Sequence, residues 1–292
     1  MLNGFINLRK PSGMTSHAVV AAVRRLAGQQ SVGHAGTLDP DAAGVLPVAL
    51  GTYTRLLDYA RLTPKIYQAD LIFGVATATG DASGSPVGHS GPPWPSLADV
   101  EAAAGWMVGD VWQIPPAVSA LKRGGERHYR AVQKGRTVWP TARRVQVQRL
   151  TVLAGQQQQW RIEATVGPGT YLRAIARDWG WVLGHGAHLD HLVRTQVGGF
   201  AITQSHDLAE LAHAAAQGRW STLLEDWTRH LDIPIIEVQL HQVKAIQHGR
   251  SDAWPDPGEG VIGPIGLTFA GQLLAVIDGP PWRYRKVLAW DR

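Results

Sequence analysis

The sequence predicts an α+β fold with a large first domain and a small β-rich C-terminal module. In residues 65–75, Tyr67, Ala69, Leu71, Phe73 and Val75 share one parity, as a strand with one buried face requires. Val19, Val20, Val23, Leu26 and Ala27 recur at helical spacing behind a Thr15 or Ser16 cap, and Gly28 stops the pattern. After the connector Ile233-Pro234-Ile235-Ile236 come a short helical stretch at 243–248 and strand-like runs near 266–277 and 282–290. A chain of 292 residues with 45% hydrophobic content can bury one large core and one small one. The expected domains are residues 1–232 and 233–292.

The elements follow in order. Phe5-Ile6-Asn7-Leu8 reads as a strand entering the loop from Lys10 to Ser16, and residues 54–60 suggest a short helix. Residues 86–95, rich in Gly and Pro, read as an exposed loop, after which Ser96 and Asp99 form a capping box for a helix running to about residue 108. Residues 145–153 and 159–166 read as strands feeding Gly167-Pro168-Gly169-Thr170-Tyr171-Leu172-Arg173. With Thr170 as N-cap, Leu172, Ile175, Ala176 and Trp179 keep helical spacing to Gly180. Residues 206–215 and 220–230 suggest two further helices.

Composition narrows the function. A formal charge of +5 fits an anionic partner. The charge is concentrated: nine Lys or Arg lie between Lys122 and Arg149 against the single acid Glu126, interleaved with His128, Tyr129 and Trp139. Phosphate neutralisation beside stacking rings is the footprint of an RNA surface, although a solvated basic face reads similarly. The apolar runs are too short and interrupted to span a bilayer, so no membrane partner and a cytoplasmic location are expected. Without cysteine there are no disulfides, thiolate metal sites or cysteine nucleophiles. His185, His188 and His191 are spaced by three, but they lack the Glu of a zinc-protease helix and Gly184 and Gly186 interrupt any helical face; no metal site is expected.

One stretch stands apart: Gly33-His34-Ala35-Gly36-Thr37-Leu38-Asp39-Pro40, continuing to Gly44-Val45-Leu46-Pro47-Val48. Glycines and a following proline hold Asp39 on a shaped loop rather than mid-helix. An isolated Asp-Pro is ordinarily a turn bonding its own backbone. This longer pattern resembles the catalytic-aspartate motif of the TruB family of tRNA pseudouridine synthases. Lys10-Pro11-x-Gly13-x-Thr15-Ser16 is similar to the family's first motif. Lys65-x-Tyr67 with Thr77-x-Thr79-x-Asp81-x-x-Gly84 resembles the segment whose tyrosine packs on the target uracil. Pro115-Pro116-x-x-Ser119-Ala120-x-Lys122, with Gly125 and Tyr129, resembles a further motif, although Val132-Gln133 stands where members commonly carry Ala-Arg. Gly169-Thr170-Tyr171-Leu172-Arg173 is similar to the family's Gly-Thr-Tyr-Ile-Arg, and residues 187–200 resemble its Ala-His-Leu-x-x-Leu-Arg-Arg-Thr segment, with Val193 in place of one arginine.

The resemblance covers residues 8–200 and implies a pseudouridine-synthase fold with a central mixed, mainly antiparallel sheet flanked by helices, plus a PUA-like C-terminal domain. It implies isomerisation of uridine 55 in the T loop of tRNA, with Asp39, Tyr67 and Arg173 as catalytic residues. Asp39 acts ionised, as nucleophile toward the ribose or as a base removing its C2′ proton, and Arg173 pairs with it. Lys10, His34, Leu192, Lys122, Arg123, Tyr129, Arg143 and Arg144 are the expected RNA contacts. Within that set Lys10 either supports the Asp39 loop or touches RNA, His34 either wedges into the vacancy left by a flipped base or orders its own loop, and Leu192 walls the uracil pocket. No cofactor, no metal and no obligate protein partner are implied, and the expected state is a monomer bound to the tRNA T stem-loop. The rival readings are a non-catalytic tRNA-binding or tRNA-folding protein, a carboxylate-dependent hydrolase, which would need a second positioned carboxylate, and a synthase acting on another RNA.

Overall fold

The computed structural model describes residues 1–118, 122, 123, 126, 127, 134, 140–226, 228, 230–256, 258 and 260–288. Its main element is a ten-stranded sheet, with strands β1 (Gly4–Lys10), β2 (Val32–His34), β3 (Ala43–Leu50), β4 (Lys65–Phe73), β7 (Gly109–Gln113), β10 (Arg143–Gln156), β11 (Gln159–Val166), β12 (Ala187–Val197), β13 (Phe200–Ala201) and β14 (Leu224–Glu225). The order is β14-β1-β3-β12-β4-β11-β10-β7, with β2 beside β3 and β13 beside β12. Only the β3–β12 pair is parallel among the described pairs of this sheet, so it is mixed and mainly antiparallel, as expected. Short ribbons β5–β6 (Val75–Thr77, Pro86–His89) and β8–β9 (Lys122–Arg123, Glu126–Arg127) lie outside it.

Two helices cover one face of the central strands. The alternation of β4 buries Tyr67, Ala69, Leu71 and Phe73 against Val100 of α2 (Leu97–Gly105) and Ile175, Ala176 and Trp179 of α3 (Leu172–Val182). The Ser96/Asp99 capping box forms as expected, but α2 stops at Gly105. Across β1 and β3 a second core receives Val19, Val20 and Val23 of α1 (Ser16–Ala27) and Leu211 of α4 (Leu208–Ala216). Thr15 caps α1, its hydroxyl accepting from Ala18 N at 3.0 Å, and Gly28 ends it in the left-handed region at φ +61°.

Of the stretch 220–230, expected as a helix, residues 220–225 instead form a 3-10 turn at Trp220–Thr222 followed by β14. Packing overrides helical periodicity there. Trp220 and Leu223 are drawn into the α1–α4 core while Leu224 and Glu225 pair with β1. A second, four-stranded sheet, β15 (Ile235–Glu237), β16 (Gly263–Phe269), β17 (Gln272–Gly279) and β18 (Arg283–Val287), packs with α5 (Leu240–Gln247) over its own core. Leu273, Val276 and Leu288 from this unit join Phe5, Leu56 and Phe200 of the first in one apolar cluster.

The parallel junction of β3 and β12 requires glycine at position 44. Its φ is +106°, and an added Cβ would fall inside the envelope of the Arg194 carbonyl oxygen. Gly44→Ala is expected to lower unfolding free energy by at least about 3 kcal/mol, measured by urea denaturation; a midpoint unchanged within error would mean that the junction yields.

Candidate active site

Asp39 lies between β2 and β3 on a loop clamped from both sides. Ser16, the first residue of α1, donates to Leu38 O and accepts from Leu38 N, at 3.2 and 3.0 Å. Gly13 N donates to Pro40 O at 3.0 Å and Ser12 Oγ to Asp41 O at 2.8 Å. From the other side Arg194 Nη2 donates to Gly36 O at 2.7 Å. Gly36 itself has φ +77°, a turn that side chains resist.

Lys10 forms part of this clamp. It is fully buried, and its Nζ donates to the carbonyls of Pro11, Met14 and Pro40. Burial pushes its pKa down to about 8, opposed by the charges of Asp41 and Asp39. These bonds fit the first of the two uses foreseen for Lys10, support of the loop, since three carbonyls match its three N–H donors.

The first turn of α3 supplies Arg173. Thr170 is not its cap; that hydroxyl donates to Gly167 O at 3.2 Å, and the N-cap is Tyr171, held at N and O by the Gln113 amide at 2.8 and 3.1 Å. The helix then starts one residue later and aims Arg173 inward, 5% exposed. Its Nη2 meets Asp39 Oδ2 at 2.9 Å and its Nη1 lies 3.5 Å from Asp81 Oδ2. Nη1 and Nη2 also donate to Thr79 O and Val118 O, at 2.9 and 3.1 Å. A cation at a helix N-terminus opposes the macrodipole; two carboxylates offset that here. Asp81 is in turn held by the hydroxyls of Thr79 and Ser83, each at 2.6 Å.

Asp39 is held above the ordinary carboxylate value of 3.8, chiefly by burial, with Arg173 pulling it back and Asp81 and Asp41 pushing it further up. The side chain keeps 42% exposure, enough to meet a ligand.

Beside Asp39 opens a cavity of about 310 Å³ walled by Tyr67, Tyr171, Leu172, Leu192 and Arg173. Tyr67 reaches it from β4. Leu192 does so through a β-bulge, since Asp190 and Val193 face Asp70 and Gln68 while His191 and Leu192 together oppose Ala69, His191 taking φ +47°. Lys65, Arg143 and Arg194 also line it. Arg143 bonds the Gly169 carbonyl and covers the Tyr171 ring at 4.9 Å. A second hollow of about 480 Å³ lies across Asp39, lined by Asp41, Asp81, Asp190 and His191.

The remaining expected contacts lie farther out. His34 ends β2, half-buried and edge-on to His17 at 5.7 Å. Arg144 is exposed and paired with Asp110 at 3.1 Å. Lys122 and Arg123 form β8 opposite β9, and Tyr129 lies outside the described residues. The three spaced histidines take separate partners: Ser90 for His185, the Val75 carbonyl for His188, and Asp70 and Asp190 for His191.

Asp81, Lys65, Arg194 and Tyr171 were absent from the expected site. Lys65 had a signal, since its i, i+2 spacing from Tyr67 puts both on one strand face. The contact between Asp81 and Arg173, 92 positions apart in the chain, left none.

Comparison with known proteins identifies relatives of the chain. The family model described as "TruB family pseudouridylate synthase (N terminal domain)" matches residues 24–172. The "tRNA pseudouridine synthase B" of Symbiobacterium thermophilum is 41% identical over 255 residues, 86% of this chain and 84% of that protein. Its namesake from Moorella thermoacetica is 38% identical over 291 residues, 96% and 95% of the two chains. Among solved structures, a chain of the Cbf5-Nop10-Gar1 complex superposes with TM-score 0.68 at 26% identity, over 94% of this chain and 78% of that one.

Proposed function

The chain belongs to the TruB family of pseudouridine synthases, and on that premise we propose that it converts uridine 55 in the T loop of tRNA to pseudouridine, with Asp39 as the reacting carboxylate. The observation that carries this reading is one ion-paired aspartate at the edge of a cavity walled by Tyr67 and Leu192. Asp39 meets the ribose while the uracil lies between the tyrosine ring and the leucine. The base must leave its stack to enter, at a cost of a few kcal/mol, as a flipped nucleotide does. His34 then fills the space the base leaves.

The reaction balances without a cofactor. The C1′–N1 bond breaks, uracil turns, C1′ joins C5, and the proton lost from C5 is matched by one gained at N1. Arg173 keeps Asp39 ionised and aimed, so the carboxylate either attacks C1′ and is displaced when C5 joins that carbon, or removes the C2′ proton and returns it. Tyr67 stacks on the base through its rotation and helps the C5 proton leave, passing on its own hydroxyl proton as it takes one up. Residues 1–232 form the catalytic domain, and the PUA-like unit 233–292 touches tRNA away from the reaction. The protein acts as a monomer on the T stem-loop.

Tritium release from T-arm RNA carrying [5-³H]uridine tests the proposal. Release in step with pseudouridine formation is the expected result. Tight binding with no release would turn the reading to a non-catalytic tRNA-binding protein.

A further inference from the structure

We infer that Lys65 and Arg194 form a donor floor in the Tyr67–Leu192 cavity that reads the O4 carbonyl of the entering base and so selects uracil over cytosine. The inference rests on the isomerase reading above.

Both cations line the cavity. Lys65 shares its strand face with Tyr67, two residues away on β4. Arg194 is 1% exposed and uses Nε and Nη2 on Val45 O and Gly36 O, at 2.8 and 2.7 Å, which leaves Nη1 for another acceptor. The two side chains converge: the point where a Cβ on Gly36 would stand lies 3.3 Å from Arg194 Nη1 and 3.7 Å from Lys65 Nζ. Among the described residues no carboxylate pairs with either cation; the acids at this site, Asp39 and Asp81, are taken by Arg173. Burial and the neighbouring guanidinium both push the Lys65 pKa down, the mark of a cation desolvated without a counter-charge. Such a pair calls for an acceptor from outside the chain.

That acceptor belongs to the base rather than to the RNA backbone. Asp39 must meet the ribose, so the sugar and its phosphates stay on the Asp39 side while the ring extends past Tyr67. Uracil then presents a carbonyl at position 4, where cytosine carries an amino group. Two N–H donors facing two cationic donors leave all of them unpaired in a buried site, and such mismatches discriminate by orders of magnitude.

The test compares the native protein with Lys65→Met on T-arm RNA bearing uridine or 4-thiouridine at the target, since sulfur is a poor acceptor. Among the described residues the Lys65 side chain makes no hydrogen bond that its replacement would remove, whereas the Arg194 side chain holds two carbonyls and is left intact. On uridine the variant is expected to lose about 10- to 100-fold in kcat/KM, the native protein to lose a similar factor on 4-thiouridine, and the variant no more than about twofold further on the thio base. Independent, multiplying losses would overturn the inference while leaving the isomerase reading in place. So would a Lys65→Met penalty that vanishes when the target's 5′ phosphate is a neutral methylphosphonate, which would give the lysine to the backbone. Absence of conversion by the native protein would overturn both.

Discussion

Asp39→Asn is expected to lower pseudouridine formation by at least about 10⁴-fold while leaving affinity for T-arm RNA within about threefold. The amide is nearly isosteric and still reaches Arg173, but it neither attacks an anomeric carbon nor accepts a proton from C2′. The loop survives the change because its supports are bonds to its own backbone from Ser12, Gly13, Ser16, Lys10 and Arg194, none of which uses the Asp39 carboxylate. Single-turnover assays with saturating enzyme separate the two quantities. Undiminished turnover by the variant would move the chemistry to another carboxylate, with Asp41 and Asp81 next in line across the same hollow.

Arg173→Met should cost about 10²- to 10³-fold in turnover, the range seen when a single preorganised charge contact is removed. It should also shift the acid limb of the rate profile. That limb marks protonation of Asp39, whose pKa already lies above the ordinary value because burial outweighs the pull of Arg173. Removing the guanidinium leaves burial, Asp81 and Asp41 all acting upward, so the limb moves to higher pH. Asp81→Asn removes an upward influence, and its limb moves to lower pH. Opposite displacements in the two variants identify the limb with Asp39; displacement in the same direction would assign it elsewhere. Loss of Arg173 also leaves two facing carboxylates without their cation, destabilising the fold by about 2 kcal/mol, a figure below that for fully buried pairs because Asp39 is partly open to water.

Local patterns carried far. Alternation in 65–73, the Thr15 cap and Gly28 stop of α1, and the Ser96/Asp99 box each depend on neighbours within a few residues, and each has the expected form. The resemblance named Asp39, Tyr67, Arg173 and Leu192, and the structure brings all four around one cavity. Expectations failed where distant packing intervened. Residues 220–225 gave up helical spacing because Trp220 and Leu223 are claimed by another core. Thr170 lost its place as cap because Gln113, from a strand 57 positions earlier, fixes Tyr171 there instead.

The sequence by itself determined the class of fold and the constrained acidic loop, since glycine and proline placement, capping and strand parity act over short separations, while the residues expected to carry the chemistry came from the family resemblance of its motifs. Only the tertiary structure decided which charges share a space. Burial of Lys10 under the Asp39 loop, the bridge from Arg173 to Asp81, and the meeting of Lys65 with Arg194 beside Gly36 all join segments that the sheet order brings together. Electrostatic energy depends on distance and on exclusion of water, and neither is written in the spacing of residues along a chain.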